Sequence, residues 1–197
     1  MSVPFIGLTG GIAAGKSTAL AAFERLGAAV LSTDAVVHEL YADPEVVAEV
    51  RERFGVEVLD PDGSVDRGAL AARAFATADD RSWLEGLLWP RVGARVAGWR
   101  DAELGRRPPP LALVVEVPLL FEAGLEAMYD ATVAIVAPDA LRAERAGARG
   151  HQALEARGAR QLSPSEKAER ATFAIVNDAD VAALERRLSE VLATLSE

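Results

Sequence analysis

The chain has no cysteine. That excludes a disulfide framework and any thiolate metal site, and it suits a reducing compartment, so a cytoplasmic location is expected. Histidine is almost as scarce. His38 and His151 are the only two, far apart in sequence, and they suggest no metal cluster. Positive charge is also short. Lys and Arg number 21 against 30 Asp and Glu, a formal net charge of −9. A nucleic-acid binder usually carries a basic face, so nucleic acid is not expected as a partner. No apolar run reaches the roughly 18 residues of a membrane span. The start, MSVPFIGLTGG, has neither a basic region nor a cleavage signature, so no membrane partner is expected either. What is abundant is aliphatic residue: half of the 197 positions are hydrophobic, enough for a sizeable core in one domain with inserted lobes. Oligomeric state is left open by all of these features.

Five short apolar runs read as strands: Val3–Thr9, Ala28–Leu31, Leu111–Val117, Ala131–Ala137 and Thr172–Val176. Each is nearly continuous rather than alternating, the pattern of a parallel sheet buried on both faces. Helical patterns separate them, so the class is α/β. The first helix is expected over Gly15–Leu26, with Gly27 at the C′ position. Between Ala35 and Leu104 the spacing is helical, with Pro90 expected to kink or split the helix built on Trp83, Leu87 and Val96. Val56–Leu59 reads as a short extended piece before the turn Pro61-Asp62-Gly63. Trp83, Trp89 and Trp99 lie at helical spacing and read as core before ligand stackers. His38 is expected on an exposed helix face. The last helix is expected over Val181–Leu195.

The chemistry begins at Gly10-Gly11-Ile12-Ala13-Ala14-Gly15-Lys16-Ser17, which satisfies G-x-x-x-x-G-K-[ST] at every fixed position. Glycines let backbone N–H groups turn toward phosphate oxygens. The following helix adds the positive end of its dipole. Lys16 reaches the β and γ phosphates, and Ser17 is placed to hold Mg²⁺. An apolar strand before the loop and a helix after it supply the required context. The residues therefore read as an ATP-using phosphotransferase.

Two acids fall at carboxyl ends of predicted strands, the edge where ligands bind in open α/β sheets. Asp34 closes strand two and could accept a proton from an attacking hydroxyl or orient Mg²⁺ through water; a helix N-cap is the alternative. Glu116 could assist Mg²⁺ or the substrate, or serve an ion pair. Leu141–Arg160 holds five arginines against two glutamates inside an acidic chain. Arg145 and Arg149 share a helix face at i, i+4. Such a segment can close over phosphates as a lid, or be a solvated face.

These residues together resemble the dephospho-CoA kinase family of P-loop kinases over nearly the whole length. The resemblance rests on Gly7-Leu8-Thr9-Gly10-Gly11-Ile12, Gly15-Lys16-Ser17-Thr18, Asp34, Asp66-Arg67 leading to Phe75, Trp83-Leu84-Glu85, Val117-Pro118-Leu119-Leu120-Phe121-Glu122, Arg145 with Arg149, and Asn177-Asp178. It implies a three-layer P-loop NTPase with a five-stranded parallel sheet, a helical acceptor-binding lobe and a lid. Residues 1–34, 110–140 and 168–197 would form the core, 35–109 the lobe and 141–167 the lid. The reaction implied is phosphorylation of the ribose 3′-hydroxyl of dephospho-CoA by ATP with Mg²⁺. Asp34 and Lys16 would be catalytic. Gly10, Gly11, Ile12, Ala13, Ala14, Gly15, Lys16, Ser17, Thr18, Arg145, Arg149 and Asn177 would meet ATP. Thr9, Asp34, Arg67, Phe75, Pro118 and Leu119 would meet the acceptor, and Ser17 the metal. The chain departs from the family pattern at Ala13 (usually Gly), Trp89 (often His), Gly150 (often Asp) and Ala179 (usually Gly).

Three other readings compete. Asp60-Pro61-Asp62-Gly63 fits the D-x-x-G of a regulatory GTPase, but no N-K-x-D motif occurs. A P-loop kinase of another small hydroxyl acceptor, such as a nucleoside or shikimate, would share the loop and lid. A catalytically idle P-loop scaffold conflicts with an intact Lys16, Ser17 and Asp34.

Overall fold

The computed structural model describes residues 2–147 and 161–196. Five strands, β1 (Phe5–Gly10), β2 (Ala29–Ser32), β3 (Leu113–Glu116), β4 (Ala131–Val136) and β5 (Phe173–Val176), form one sheet in the order β2-β3-β1-β4-β5. Every pairing is parallel. The three inner strands β3, β1 and β4 are buried almost throughout, which is why they read as unbroken apolar runs. The edge strand β5 departs from that expectation. Its residues alternate between half-buried and exposed, because Phe173 and Ile175 pack on the core while Ala174 and Val176 lie on the opposite face.

Eight helices of four or more residues are described: α1 (Lys16–Arg25), α2 (Thr33–Leu40), α3 (Pro44–Phe54), α4 (Arg67–Ala74), α5 (Ala78–Leu104), α6 (Asp139–Gly147), α7 (Pro164–Arg170) and α8 (Val181–Leu195). The chain divides into two compact units, Met1–Ser32 with Arg100–Glu197, and Thr33–Trp99. Residues 100–109 thus group with the sheet.

In the sheet unit, α1 and α8 pack against each other. Phe23 of α1 and Leu184 and Leu188 of α8 join Ile6, Leu8, Val114 and Ile135 in a single core. At the end of α1, the N–H of Ala28 donates to Phe23 O and that of Gly27 to Glu24 O, both at 3.0 Å. With Gly27 at φ 93°, this closes the helix as the expected C′ glycine should. Asp180 starts α8 by accepting from Ala183 N at 2.7 Å, a cap worth about 1 kcal/mol.

In the helical unit, Asp43 caps α3 beside Pro44, and Asp66 caps α4 by accepting from Gly68 N and Ala69 N. Val46, Val50, Val58, Leu70, Leu84 and Leu87 are buried. Phe54 meets Trp83 edge-on at 5.4 Å. Two local expectations fail here and one is narrowed. Pro90, expected to kink or split its helix, does not split it: α5 runs through it. The ring removes the N–H that would bond Gly86 O; one residue on, the Arg91 guanidinium donates to Leu87 O at 3.0 Å. Val56–Val58 is a 3₁₀ turn, not an extended piece. Trp89 is 54% exposed, so it is not core. Helical spacing alone gave it an inward phase that the neighbouring buried Leu87 and Leu88 already occupy. His38 is exposed, as expected.

Candidate functional site

The glycine-rich loop leaves the central strand β1 and enters α1 at Lys16. Two close approaches explain its glycines. A Cβ on Gly10 would strike the carbonyl oxygen of Ile135 on β4. One on Gly15, at φ +99°, would strike the Asn177 side-chain amide. Asn177 follows β5, is buried, and donates from Nδ2 to Ala14 O at 2.8 Å, while its own N–H bonds Val136 O at 2.7 Å. Its side chain therefore fixes the loop backbone from behind. Ala13 stands at φ +59°. That left-handed geometry accounts for the family's usual glycine, and an alanine there costs roughly 1–2 kcal/mol.

Positive charge collects at this loop. Lys16 Nζ donates to Gly10 O at 3.1 Å and Gly11 O at 3.2 Å. Arg142 Nε donates to Ile12 O at 3.2 Å. Both terminal nitrogens of Arg145 lie 3.4 Å from Asn177 O. The first turn of α1 holds no acid, so nothing opposes its positive end. Such a cradle suits a polyphosphate. Ser17 is exposed and Thr18 half-buried in the first turn of α1. Among the described residues no group of three or more His, Asp or Glu could hold a metal ion. A lone hydroxyl fits Mg²⁺, which keeps several waters and takes phosphate oxygens.

Beyond β3 the chain turns through Val117–Glu122. Glu116, the last residue of β3, is 8% exposed, in register with Leu8 and Ser32. Pro118 and Leu119 are half-buried. Thr9 is fully buried and donates from Oγ1 to Pro118 O at 3.3 Å. Lys167 of α7 is fully buried at the same place. Burial pushes its ammonium below the ordinary lysine range, against the pull of Glu122 at 3.0 Å.

The sheet unit thus gathers Thr9, Gly10–Thr18, Pro118, Leu119, Arg145 and Asn177. Asp34, Arg67 and Phe75 belong to the helical unit. Asp34 is exposed and is the second residue of α2, one place inside the helix and not its cap. Arg67 opens α4, and Phe75, just past its end, is 55% exposed. Arg149 lies outside the described residues, as do Gly150, His151, Arg157 and Arg160. Asp60–Gly63 forms a turn in which Asp62 accepts from Ser64 N and Oγ, a local structural role for the D-x-x-G tetrapeptide. Sequence reasoning missed Arg142 at the loop and Lys167. Arg142 looked like one arginine among five. A lysine flanked by Glu166 and Glu169 in a short helix looked solvated.

Comparison with known proteins bears on this geometry. The family model for dephospho-CoA kinase matches residues 4–183. The chain belongs to the dephospho-CoA kinase family. Curated relatives with that name include one from Anaeromyxobacter dehalogenans, 42% identical over 96% of this chain and 91% of its own length. Another, from Deinococcus radiodurans, is 41% identical with the same coverage of each chain. Among solved structures, one from Thermus thermophilus superposes with a TM-score of 0.83 at 32% identity, covering 99% of both chains. Dephospho-CoA kinase from Campylobacter jejuni gives 0.70 at 25% identity, covering 98% of this chain and 96% of that one. The fold is therefore the P-loop α/β fold, and the protein is a kinase that uses ATP. No described helix is long and apolar enough to cross a membrane.

Proposed function

We propose that this kinase transfers the γ-phosphoryl group of ATP to the ribose 3′-hydroxyl of dephospho-CoA, giving ADP and coenzyme A. The observation that carries the reading is the family match over residues 4–183, joined to a loop whose backbone, lysine and arginines form a polyphosphate cradle. A nucleoside as acceptor gains no support from the relatives, which are dephospho-CoA kinases.

The loop amides and Lys16 bind the β and γ phosphates of ATP. Lys16 turns from its two loop carbonyls toward the γ-phosphate, where negative charge gathers during transfer. Arg145, with Arg149, adds cations to the phosphates, and Asn177 keeps the loop backbone in shape beside the adenine. Thr9, Pro118 and Leu119, with Arg67 and Phe75, bind dephospho-CoA. Asp34 orients the 3′-hydroxyl and accepts its proton as the oxygen bonds phosphorus and the ADP oxygen leaves in line. Ser17 is the residue that would hold Mg²⁺, which when bound would supply positive charge to offset that of the phosphates. Most of the rate effect comes from positioning and fixed charge. With no cysteine to protect, the reducing cytoplasm suits the chain.

The test is ADP release measured with dephospho-CoA, with nucleosides, with shikimate and with no acceptor. Turnover only with dephospho-CoA is expected. Turnover with a nucleoside and none with dephospho-CoA would contradict the acceptor while leaving the kinase class intact.

A further inference from the structure

The Lys167 ammonium has three protons and three acceptors: Pro118 O at 2.7 Å, Glu122 Oε1 at 3.0 Å and Thr9 Oγ1 at 3.4 Å. Its side chain is 0% exposed. The acceptors come from two neighbourhoods, the strand end before the phosphate loop and the turn after β3. Thr9 is the residue before Gly10, where the phosphate loop begins, and its hydroxyl also donates to Pro118 O. Pro118 and Glu122 bracket the turn that follows β3. Glu122 Oε1 accepts in addition from Leu162 N at 2.8 Å, tying the approach to α7 into the same knot.

Burying a charge this deeply is costly, and an apolar pair of similar volume is often neutral or better for stability. Stability alone is therefore a weak reason for a lysine here. Glu122 Oε2 is buried without a hydrogen-bond partner among the described residues, so the cluster is not optimised as a structural pair either. What the ammonium does supply is a fixed, directional link between the strand end before the loop and the turn after β3.

We propose that Lys167 is a positioning residue of phosphoryl transfer: its buried ammonium sets the placement of the Pro118–Glu122 turn against Thr9 and the phosphate loop, and so aligns the acceptor with ATP. This rests on the reading above that Pro118 and Leu119 meet dephospho-CoA. Lys167 touches neither substrate and acts through Thr9 and Pro118. In-line transfer is steeply sensitive to such placement, a 1 Å error costing on the order of 10²-fold.

The experiment uses the full chain carrying K167M together with E122Q, which removes both charges while keeping shape and the Leu162 acceptor. Three quantities are read: kcat with dephospho-CoA, KM for ATP, and ATP hydrolysis without acceptor. We expect kcat to fall about 10- to 100-fold with KM for ATP within about twofold. Hydrolysis to water should be unchanged, since water needs no alignment by the turn. A merely structural role would move all three together or none. A folded double variant with wild-type kcat, or with hydrolysis falling in parallel, overturns the proposal. If the double variant does not fold, Glu122→Gln alone weakens the hold on the ammonium while keeping the Leu162 acceptor, and the same split is expected at smaller size; an unchanged kcat there overturns it equally. Leu119→Ala separates the two ideas. A raised KM for dephospho-CoA supports the turn as acceptor contact. An unchanged KM removes that contact and overturns the alignment proposal, while turnover of dephospho-CoA by the wild type leaves the kinase reading standing. No turnover of dephospho-CoA by the wild type overturns both.

Discussion

Replacing Gly15 with alanine should damage the protein through one identifiable collision. At φ +99° an L-residue costs roughly 1–2 kcal/mol. The new Cβ also meets Asn177 Nδ2, which must then leave Ala14 O, a buried bond of 2.8 Å. Orphaning a buried carbonyl costs about 1–3 kcal/mol. Gly15→Ala should therefore lose about 2–5 kcal/mol of unfolding free energy. Asn177→Ala should lose about 1–3 kcal/mol, for the same bond. In the double variant that bond is lost once, not twice, so the two single costs should exceed the double cost by about 1–3 kcal/mol. Equilibrium urea unfolding of the four proteins reads this cycle, provided the m-values agree. Costs that add to within about 0.5 kcal/mol would refute the collision and leave Gly15 required for its backbone angle alone.

Ala13→Gly should stabilise by about 0.5–1 kcal/mol, the relief of left-handed strain less the entropy of a freer unfolded chain; a lower melting temperature would contradict it. Asp34→Asn should lower kcat by roughly 10²-fold with little change in ATP affinity, and near-normal kcat would reduce Asp34 to a first-turn helix acid. Tyr129, desolvated against Phe5, has its phenol pushed up to about 12 from 10.0. The neutral ring is favoured in the fold, so its contribution is full below pH 10 and is lost as pH rises toward 12, by no more than about 2.7 kcal/mol. Tyr129→Phe should flatten that alkaline decline in a pH series of urea unfolding curves; an identical decline would contradict it.

The parts of the fold legible in sequence were those where one local rule dominates. Doubly buried inner strands leave unbroken apolar runs, so β1, β3 and β4 were readable to within two residues at each end. Gly27 signals its helix end in the same way. The loop was readable because phosphate chemistry demands its residues in one contiguous string. Where several influences compete, the reading failed. A split at Pro90 was open by local rules, yet α5 continues through it. Trp89 shares a helical period with core residues but points outward. Lys167 carried no signal at all, because its burial comes from Thr9, Pro118 and Glu122, contributed by segments 49 or more positions away for the first two. The constraint on Gly15 was visible as a motif, but its cause, Asn177, lies 163 positions from Ala14.

The central claim is transfer of phosphate from ATP to dephospho-CoA by the Gly10–Ser17 loop. ATP labelled in the γ-phosphate, incubated with dephospho-CoA and either wild type or Lys16→Ala, tests it directly. The account predicts label on the ribose 3′-hydroxyl of the product with wild type, and its loss in a variant that remains folded. Label released only as inorganic phosphate, or comparable product from Lys16→Ala, would contradict it.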